Sequence, residues 1–356
     1  MSSAIKFRAI RKVVKRFNTR LGGSTRTQIR LEIMILIIAI ALLLAGCAAT
    51  PHYRTVDGSM LGTTYHIVAE TSLSNEQIFD QMQRINIDAI ASMSIFNPNS
   101  LLSRINRNET DLADIHIVRN IEIASKINAL TPRYDITVKP LVDAYGFAAK
   151  NREVKPNIDS LIQFVGFSKF RLQDSRIIKE DPRLQIDLNS IAKGYVVDII
   201  AEWLDEQMCE NYIVEVGGEI RAKGVNARGI AWRVGVDSPF DNNNTPGKFQ
   251  QRVVQISGAA LATSGNYRRF YYNEAGERIS HTLNPQTGHS QTTTLLSATV
   301  LAPRCATADA LATAFMASDE KDAIALAESL RDSISVYFVL APEGESSEYR
   351  EFSTLQ

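Results

Sequence analysis

The sequence carries no net charge: 39 lysine and arginine residues balance 39 aspartate and glutamate residues over 356 positions. Without a net positive field, and with no basic, aromatic-interleaved stretch beyond the N-terminus, we expect no nucleic-acid partner. The three cysteines are not spaced as zinc ligands are. Cys209 and Cys305 could pair in an oxidising compartment, but we expect two buried free thiols. Repeats and low-complexity segments are absent, so length and a hydrophobic content of 45% indicate a globular protein of one or two domains.

The apolar run near the N-terminus is too short to be a typical membrane span. It covers Ile33 to Ala45 and, at about 1.5 Å per residue, falls short of the ~30 Å hydrocarbon core of a bilayer. A basic segment without acidic residues, 1–30, precedes it, and Leu44-Ala45-Gly46-Cys47 ends it. This order predicts a signal peptide over residues 1–46. Its end resembles the lipobox of bacterial lipoproteins, in which the cysteine, here Cys47, is lipidated and becomes the new N-terminus.

The lipobox implies a tether and a location. Residues 47–57 would tether the following domain to the periplasmic side of a bacterial membrane through the lipid. An aspartate after the cysteine would indicate inner-membrane retention, so Ala48 and Ala49 favour the outer membrane. Two alternatives remain open. The segment could be an uncleaved anchor with an incidental cysteine, or translation could start later, for example at Met34, which would remove nearly all the basic residues.

Apolar periodicity, caps and turn residues predict a mixed α/β (α+β) fold without regular βαβ alternation. Ser74 predicts the N-cap of a helix that runs to about Ser94. The segment Tyr134–Pro140 is compatible with a strand or a turn. Further helices are predicted over 118–128, 141–146, 159–165, 191–209, 306–316 and 320–330, and strands over 63–69, 184–188, 212–216, 232–236, 253–256, 260–263, 295–301 and 335–340.

Two short segments carry the sharpest chemical signal. His281–Gly288 brings a histidine, a Pro/Gly turn and hydroxyl groups together. Asp309 and Thr313 are four residues apart and share one face of a predicted helix, and a carboxylate with a hydroxyl suits a hard divalent cation. A histidine near such a cation indicates phosphate chemistry, in which the metal gathers charge and the imidazole moves a proton. The alternatives are a structural histidine and an aspartate that complements the helix dipole.

Two further segments have the composition of ligand-binding loops. Lys193–Tyr195 lies where a predicted strand gives way to a helix, whose first N–H groups suit a phosphate. Gly194 would allow close approach and Lys193 would add charge, although a solvated lysine is the simpler alternative. Thr263–Arg268 is rich in hydroxyl groups and glycine, and a tight turn between strands explains it equally well. We expect Asp198, further along the helix, to be structural.

These segments belong to a longer ordered set. Its members are Leu61–Tyr65, Phe96–Asn106, Tyr134–Val142, Tyr145–Phe147, Ile186–Asp198, Val216–Arg221, Ala262–Arg268, His281–Gly288 and Ala308–Thr313. Each is weak alone, but together they resemble the ApbE family over nearly the whole mature chain. The members of this family are FAD:protein FMN transferases, also called flavin transferases or flavin-trafficking lipoproteins. Leu61 stands where the family often has methionine, and Asn189-Ser190 replaces a more common pair.

The resemblance implies a two-lobed catalytic domain over residues 58–356 that binds FAD in the cleft between its lobes. His281 would accept a proton, and the metal would be Mg²⁺, with Ca²⁺ as the alternative. Asp187 would hold either a loop or a ribose hydroxyl. The residues implied in metal binding are Asp309, Thr313 and the backbone carbonyl of Ala192, and those implied in FAD binding are Leu61, Phe96, Tyr134, Asp135, Asn189, Lys193, Tyr195, Thr263, Ser264 and Gly265.

The resemblance also implies a reaction. A threonine hydroxyl of an acceptor protein attacks the FMN-side phosphorus of FAD, His281 removes the proton, and AMP leaves. The expected acceptors resemble subunits of sodium-pumping quinone reductases and related redox-driven ion pumps, with the threonine in a short Asp-x-x-Thr context. Two alternatives remain open: hydrolysis of FAD to FMN and AMP by water, and a non-catalytic flavin-binding lipoprotein. The presence of both His281 and Asp309 argues against the latter, because storage needs no base.

Overall fold

An antiparallel sheet organises the part of the chain that the structure describes. The predicted signal peptide, apart from Met34, and the predicted lipidation site Cys47 lie outside the described residues. No helix among the described residues is long and apolar enough to cross a membrane. The residues from His52 onward belong to one compact unit. In this computed structural model the described residues are Met34, 52–148, 156–240, 250–267, 269–344 and 348–355.

Eight of the strands in the described ranges form the central sheet. The strands are β1 (His52–Met60), β2 (Thr63–Thr71), β3 (Phe170–Gln173), β4 (Arg176–Lys179), β5 (Tyr212–Val216), β6 (Glu219–Lys223), β7 (Trp232–Asp237), β8 (Gln250–Ile256), β9 (Ala259–Gly265), β10 (Phe270–Tyr272), β11 (Arg278–Ser280), β12 (Leu295–Ala302), β13 (Ser335–Leu340) and β14 (Arg350–Ser353). The sheet order is β1-β2-β5-β6-β9-β12-β13-β14, and each neighbouring pair is antiparallel. The pairs β3–β4, β7–β8 and β10–β11 form separate two-stranded ribbons.

The two longest of the described helices begin at side-chain caps. The helices are α1 (Asn75–Met93), α2 (Leu101–Asn106), α3 (Ile115–Leu130), α4 (Lys139–Ala144), α5 (Ile158–Leu161), α6 (Ala192–Glu206), α7 (Cys305–Met316) and α8 (Glu320–Ser329). Ser74 and Gln77 form a capping box at the start of α1, because each side chain accepts a hydrogen bond from the backbone N–H of the other. Asp114 caps α3 by accepting from the backbone N–H of Ile117. The helix predicted to start after Ser74 is confirmed.

Apolar side chains on the two faces of the sheet build two layers of core. On one face, helices α1, α3, α6 and α7 bury the largest cluster, which includes the fully buried Phe315. On the other face, the β7–β8 ribbon packs Trp232 against sheet residues such as Leu261. A smaller cluster around Leu141 and Leu283 joins α4 and α5 to the segment after β11. The predicted mixed α/β fold is therefore confirmed.

The strand predicted over 184–188 is wrong. Its apolar residues alternate and Ile186 is fully buried, but its bridging in the described structure is a single parallel contact between Gln185 and Val138. The side-chain amide of Asn106 donates to the Ile186 carbonyl and accepts from the Ile186 N–H, each at 2.8 Å. One amide side chain thus satisfies the backbone groups that a neighbouring strand would satisfy.

Two further expectations concern the N-terminal tether and the cysteines. Residues 52–57 of the predicted tether belong to β1, which pairs with β2 along its whole length. The strand was hard to predict because it lies at the edge of the sheet and most of its residues are polar. Its buried residues are Val56 and Met60.

Cys209 and Cys305 are buried and unpaired, as expected.

Candidate active site

A cavity of about 310 Å³ is lined by residues of the sheet, of helices α6 and α7 and of several loops, and its volume is within the ~300–1,000 Å³ range of small-molecule sites. Its lining residues come from the segments 133–147, 187–193, 217–219, 263–267, 281–285 and 309–317, and from Arg269. The cavity thus brings together segments that are far apart in the sequence. The predicted site residues that line it are Tyr134, Asp135, Asn189, Lys193, Thr263, Ser264, Gly265, His281, Asp309 and Thr313.

Helix α7 carries two predicted metal ligands into the cavity, and a buried aspartate fixes its start. Asp198 on α6 accepts hydrogen bonds from the N–H groups of the first two residues of α7, each at 3.0 Å. Its charge is balanced by Arg221 on β6, 2.7 Å away, so the expected structural role of Asp198 has a concrete form. Asp309 and Thr313, one helical turn apart on α7, both line the cavity.

Gly194 serves helix packing rather than close approach of a ligand. A Cβ atom at this position of α6 would lie 2.5 Å from the carbonyl oxygen of Cys305 and 2.8 Å from the Cβ of Asp309, both on α7. The backbone N–H of Gly194 donates to Asp309 Oδ2 at 3.0 Å. The predicted reason for this glycine is therefore corrected: the missing side chain lets two helices meet, and the N–H group binds Asp309 instead of standing free for a phosphate.

Replacing Gly194 by alanine is expected to destabilise the protein by about 1–3 kcal/mol, because overpacking against the α7 backbone outweighs the helix preference of alanine. Since the added methyl group would also push on Asp309, binding of a divalent cation should weaken. Urea-induced unfolding of the wild type and the variant measures the first effect. An unchanged free energy of unfolding would show that the two helices separate at no cost.

Three charged side chains meet in the cavity beside Gly194. Lys193 Nζ forms an ion pair with Glu219 Oε1, and the Glu219 side chain is only 3% exposed. Burial and the nearby charge of Glu219 raise the pKa of Asp309 above its ordinary value. Burial lowers the pKa of Lys193, but Glu219 and Asp309 outweigh it, so that this pKa is raised overall. Two buried carboxyl groups share one lysine, so that one negative charge is left unbalanced when both are ionised.

The residues present fit a divalent cation. Asp309 and Thr313 offer oxygen atoms, the ligands that Mg²⁺ and Ca²⁺ favour. Glu219 Oε2 is buried without a hydrogen-bond partner in the described part of the chain, which marks unmet negative charge at the same place. The described residues contain no group of three or more His, Cys, Asp or Glu side chains placed to hold a metal. A cation here would take its remaining ligands from phosphates, carbonyls or water, as Mg²⁺ commonly does.

His281 enters the cavity from the segment after β11. The carbonyl of Arg269 accepts from the backbone N–H of His281 at 3.2 Å and lies 3.3 Å from its Nδ1. Because a carbonyl only accepts, this contact places the proton on Nδ1 and leaves Nε2 as the proton acceptor. The ring of Phe147 packs edge-to-face on the imidazole, with centroids 6.3 Å apart. Burial, then the charge of Arg269, lowers the pKa of His281 to about 4, so the imidazole is neutral at pH 7.

The low pKa of His281 predicts an acid-tolerant pH profile. A base whose pKa is lowered keeps its lone pair at lower pH, so its activity is lost only as the pH falls through that pKa. If His281 is the base of a reaction on FAD with Mg²⁺, as the resemblance implies, kcat/KM for FAD at saturating Mg²⁺ should stay level through 6.5, the ordinary histidine value, and decline towards about 4. A pH–rate profile of the wild type measures this. A decline centred near 6.5 would contradict the assignment of His281 as a desolvated base.

Hydroxyl groups line further parts of the wall. The hydroxyl of Tyr134 lies 3.0 Å from Ser190 Oγ, and Ser264 Oγ lies 3.4 Å from Thr313 Oγ1. Thr263 Oγ1 bonds to a threonine of the neighbouring strand β12 at 2.9 Å. The hydroxyl-rich segment is thus the end of β9 rather than only a tight turn, and the sheet fixes the positions of its side chains.

Two aspartates at the cavity are used by the protein itself. Asp135 accepts hydrogen bonds from the N–H and hydroxyl of Thr137, at 2.8 and 2.7 Å, and from the N–H of Phe167 at 2.7 Å. These bonds hold the segment after Tyr134, which turns instead of forming a strand. Asp187 accepts from the N–H of Asn189 at 2.8 Å. Both carboxylates hold loops that form the wall, and direct contact of Asp135 with FAD stays a prediction.

Four predicted residues do not line the cavity. Leu61 lies in the β1–β2 turn with φ at +51°, and Phe96 lies after α1 with 54% of its surface exposed. Tyr195 is buried in the core, where its hydroxyl contacts His116 at 3.1 Å. Two residues after Lys193, it points about 200° around the helix, and contact of Tyr195 with FAD stays a prediction. Ala192 is the first residue of α6, and metal binding by its carbonyl stays a prediction.

Several cavity-lining residues were not predicted, and among them are Arg133, Phe147, Glu219 and Arg269. Each lies in or beside a segment of the ordered set, and Glu219 directly follows the Gly217-Gly218 turn, so a signal was present. Arg133 is held by two aspartates before and within α8, at 3.4 and 3.2 Å. Arg269 donates to the carbonyl of Phe147 at 2.9 Å. These arginines add two cations to the cavity wall.

Such a cavity, with three cationic side chains, buried acids fit for a metal and a neutral histidine, defines an enzyme site for a phosphorylated ligand. The chain belongs to the ApbE family, whose model matches residues 61–338. A Haemophilus influenzae relative named FAD:protein FMN transferase is 33% identical over 323 residues, 86% of this chain and 92% of the relative.

Two solved structures show the same fold. The flavin transferase ApbE from Vibrio cholerae superposes with a TM-score of 0.73 at 31% identity, over 85% of this chain and 97% of that one. The apo form of the flavinyl transferase ApbE from Pseudomonas stutzeri has a TM-score of 0.74 at 27% identity, over 85% and 94% of the two chains. The resemblance drawn from the ordered segments is confirmed.

Proposed function

We propose that this protein transfers the FMN moiety of FAD to a threonine hydroxyl of an acceptor protein, with Mg²⁺ and with release of AMP. Membership of the ApbE family and the name of the Haemophilus influenzae relative support flavin transfer. The observation that carries the proposal is that one cavity holds a neutral His281 together with Lys193 and Asp309. A hydroxyl nucleophile needs a base, and a pyrophosphate needs positive charge around it.

The cavity residues have different roles in the proposed reaction. Nε2 of His281 accepts the proton of the acceptor hydroxyl as its oxygen bonds to the FMN-side phosphorus. The bond from that phosphorus to the bridging oxygen breaks, and AMP takes that oxygen away. Lys193, Arg133 and Arg269 offer positive charge to the phosphate oxygens.

The metal completes the proposed site. A divalent cation bound by Asp309, Thr313 and the carbonyl of Ala192 would neutralise charge on the phosphates. The raised pKa of Asp309 and the unpartnered oxygen of Glu219 support a cation at this place. Mg²⁺ is the proposed ion, with Ca²⁺ as the alternative, because both favour oxygen ligands.

We also propose that the protein is a lipoprotein held by lipid on Cys47 at the periplasmic side of a bacterial membrane. The basic segment, the short apolar run and the Leu44–Cys47 lipobox support this location. The proposed acceptors are subunits of redox-driven ion pumps of the quinone reductase kind. A tethered enzyme would meet such membrane-bound acceptors in the same compartment.

Product analysis tests the proposed reaction. The protein is incubated with FAD, Mg²⁺ and a candidate acceptor that contains an Asp-x-x-Thr segment, and AMP, FMN and flavin-bound acceptor are separated by chromatography. AMP is expected to appear in step with flavin-bound acceptor, without free FMN, and to be abolished by EDTA. Equal release of AMP and free FMN with several acceptors would indicate a hydrolase. Bound FAD without AMP would indicate a storage protein.

A further inference from the structure

Three ion pairs join β6 to α6, and one of them differs from the other two. They are Lys193–Glu219, Asp198–Arg221 and Asp205–Lys223. In the last two pairs the acid lies on the helix and neither residue lines the cavity. In the first pair the acid lies on the strand, the base lies on the helix, and both residues line the cavity. An ion pair that only held β6 to α6 would not need to line the cavity, whereas the first pair does.

The carboxylate of Glu219 has two oxygen atoms, and the ion pair with Lys193 uses only one of them. Its side chain is 3% exposed and Oε1 pairs with Lys193, while Oε2 is buried without a hydrogen-bond partner among the described residues. An unpartnered buried carboxylate oxygen is costly and calls for a ligand. Lys193 is less confined, because 36% of its side chain is exposed and its four-carbon stem is flexible. The lysine is therefore able to change partner, whereas Glu219 is not.

We propose that Glu219 is a further acidic residue of the divalent-cation site and that Lys193 is its resident counterion in the metal-free protein. This inference rests on the proposed function, since it presumes a cation beside Asp309. When the cation binds, it takes over the charge of Glu219, directly or through water, and the ammonium group of Lys193 turns to a substrate phosphate. Glu219 thus sets the affinity for the metal, and the exchange frees Lys193 for the substrate.

Opposite effects of the two substitutions distinguish this role from a structural one. With both carboxylates ionised, the three side chains carry one net negative charge. Glu219→Gln removes that net charge, while Lys193→Met raises it to two negative charges and also removes the competitor. The first variant should therefore bind a divalent cation more weakly than the wild type, and the second more tightly. A structural clamp would be damaged by either change, so both variants would lose stability and metal affinity together.

Titration with Mn²⁺, followed by electron paramagnetic resonance without FAD, tests the inference. Mn²⁺ suits because it accepts the same oxygen ligands as Mg²⁺. Glu219→Gln is expected to weaken binding by roughly 10- to 100-fold, as loss of a supporting metal-site residue does. Lys193→Met is expected to tighten binding several-fold. Asp205→Asn, which removes the acid of a pair outside the cavity, is the matched control and should match the wild type.

Equal Mn²⁺ affinity of the wild type and Glu219→Gln would overturn the inference and leave the proposed function standing. Weaker binding by both cavity variants, with a parallel fall in melting temperature, would also overturn it, because the pair would then be a clamp. A wild-type protein that binds no Mn²⁺ would overturn both the inference and the metal dependence of the proposed function.

Discussion

His281→Ala is expected to lower the rate of FMN transfer by roughly 10²–10⁴-fold, the usual contribution of a positioned general base. The contact of the Arg269 carbonyl with Nδ1 of His281 leaves Nε2 as the nitrogen that can accept a proton, and the imidazole is neutral at pH 7. Because the proposed phosphate-binding residues are Lys193, Arg133 and Arg269, FAD binding should change little. Single-turnover AMP release measures the rate, and fluorescence quenching measures FAD affinity.

A second histidine of the same segment provides the control for this experiment. His289 is exposed and lies past the Gly288 turn, outside the cavity lining. His289→Ala should therefore transfer FMN at close to the wild-type rate. If His281→Ala kept wild-type turnover, the proton would be accepted elsewhere. If it lost FAD binding in parallel with turnover, His281 would be a binding residue and not the base.

Asp309→Asn is expected to abolish the dependence on Mg²⁺ and to slow transfer by two orders of magnitude or more, since metal stabilisation of phosphoryl charge is worth several kcal/mol. Asparagine has nearly the same shape, and its carbonyl oxygen still accepts the hydrogen bond from Gly194. The substitution therefore removes charge while it leaves the contact between α6 and α7 in place. Transfer rates over a Mg²⁺ titration measure the effect.

The hydroxyl one turn further along α7 offers a matched comparison. Thr313→Ser keeps the oxygen atom that lines the cavity and should keep most of the Mg²⁺-dependent rate, whereas Thr313→Val removes it at similar volume and should weaken the response to Mg²⁺. An Asp309→Asn variant with an unchanged Mg²⁺ response would place the metal elsewhere. Unfolding curves of each variant separate loss of the metal from loss of the fold.

Local signals were sufficient for much of the fold. Ser74 caps α1 as predicted, and the strands Tyr212–Val216 and Ser335–Leu340 have the predicted bounds. The prediction failed where a distant residue decides the conformation. Between 184 and 188 the apolar alternation is typical of a strand, but the amide of Asn106 satisfies the backbone instead. No local pattern predicts such a contact across 80 residues.

In the candidate site, too, some residues were predicted from the sequence and others were not. Residues with distinctive chemistry in ordered motifs, such as His281 and Asp309, were predicted and line one cavity. Tyr195, from the same motif as Lys193, is buried outside the cavity lining, because a motif does not say which face of a helix its members occupy. Glu219 was missed because an acid at the start of a strand looks like a solvated residue in sequence, and its burial against Lys193 depends on how β6 packs on α6.

Intact-mass spectrometry of the acceptor tests the central claim most directly. The protein, FAD, Mg²⁺ and a threonine-containing acceptor are incubated in parallel with the His281→Ala variant and with EDTA. The proposed function predicts that the acceptor gains the mass of FMN less one water with the wild type, and nothing in the other two reactions. The proposal is contradicted if AMP and free FMN accumulate while the mass of every acceptor tried stays unchanged.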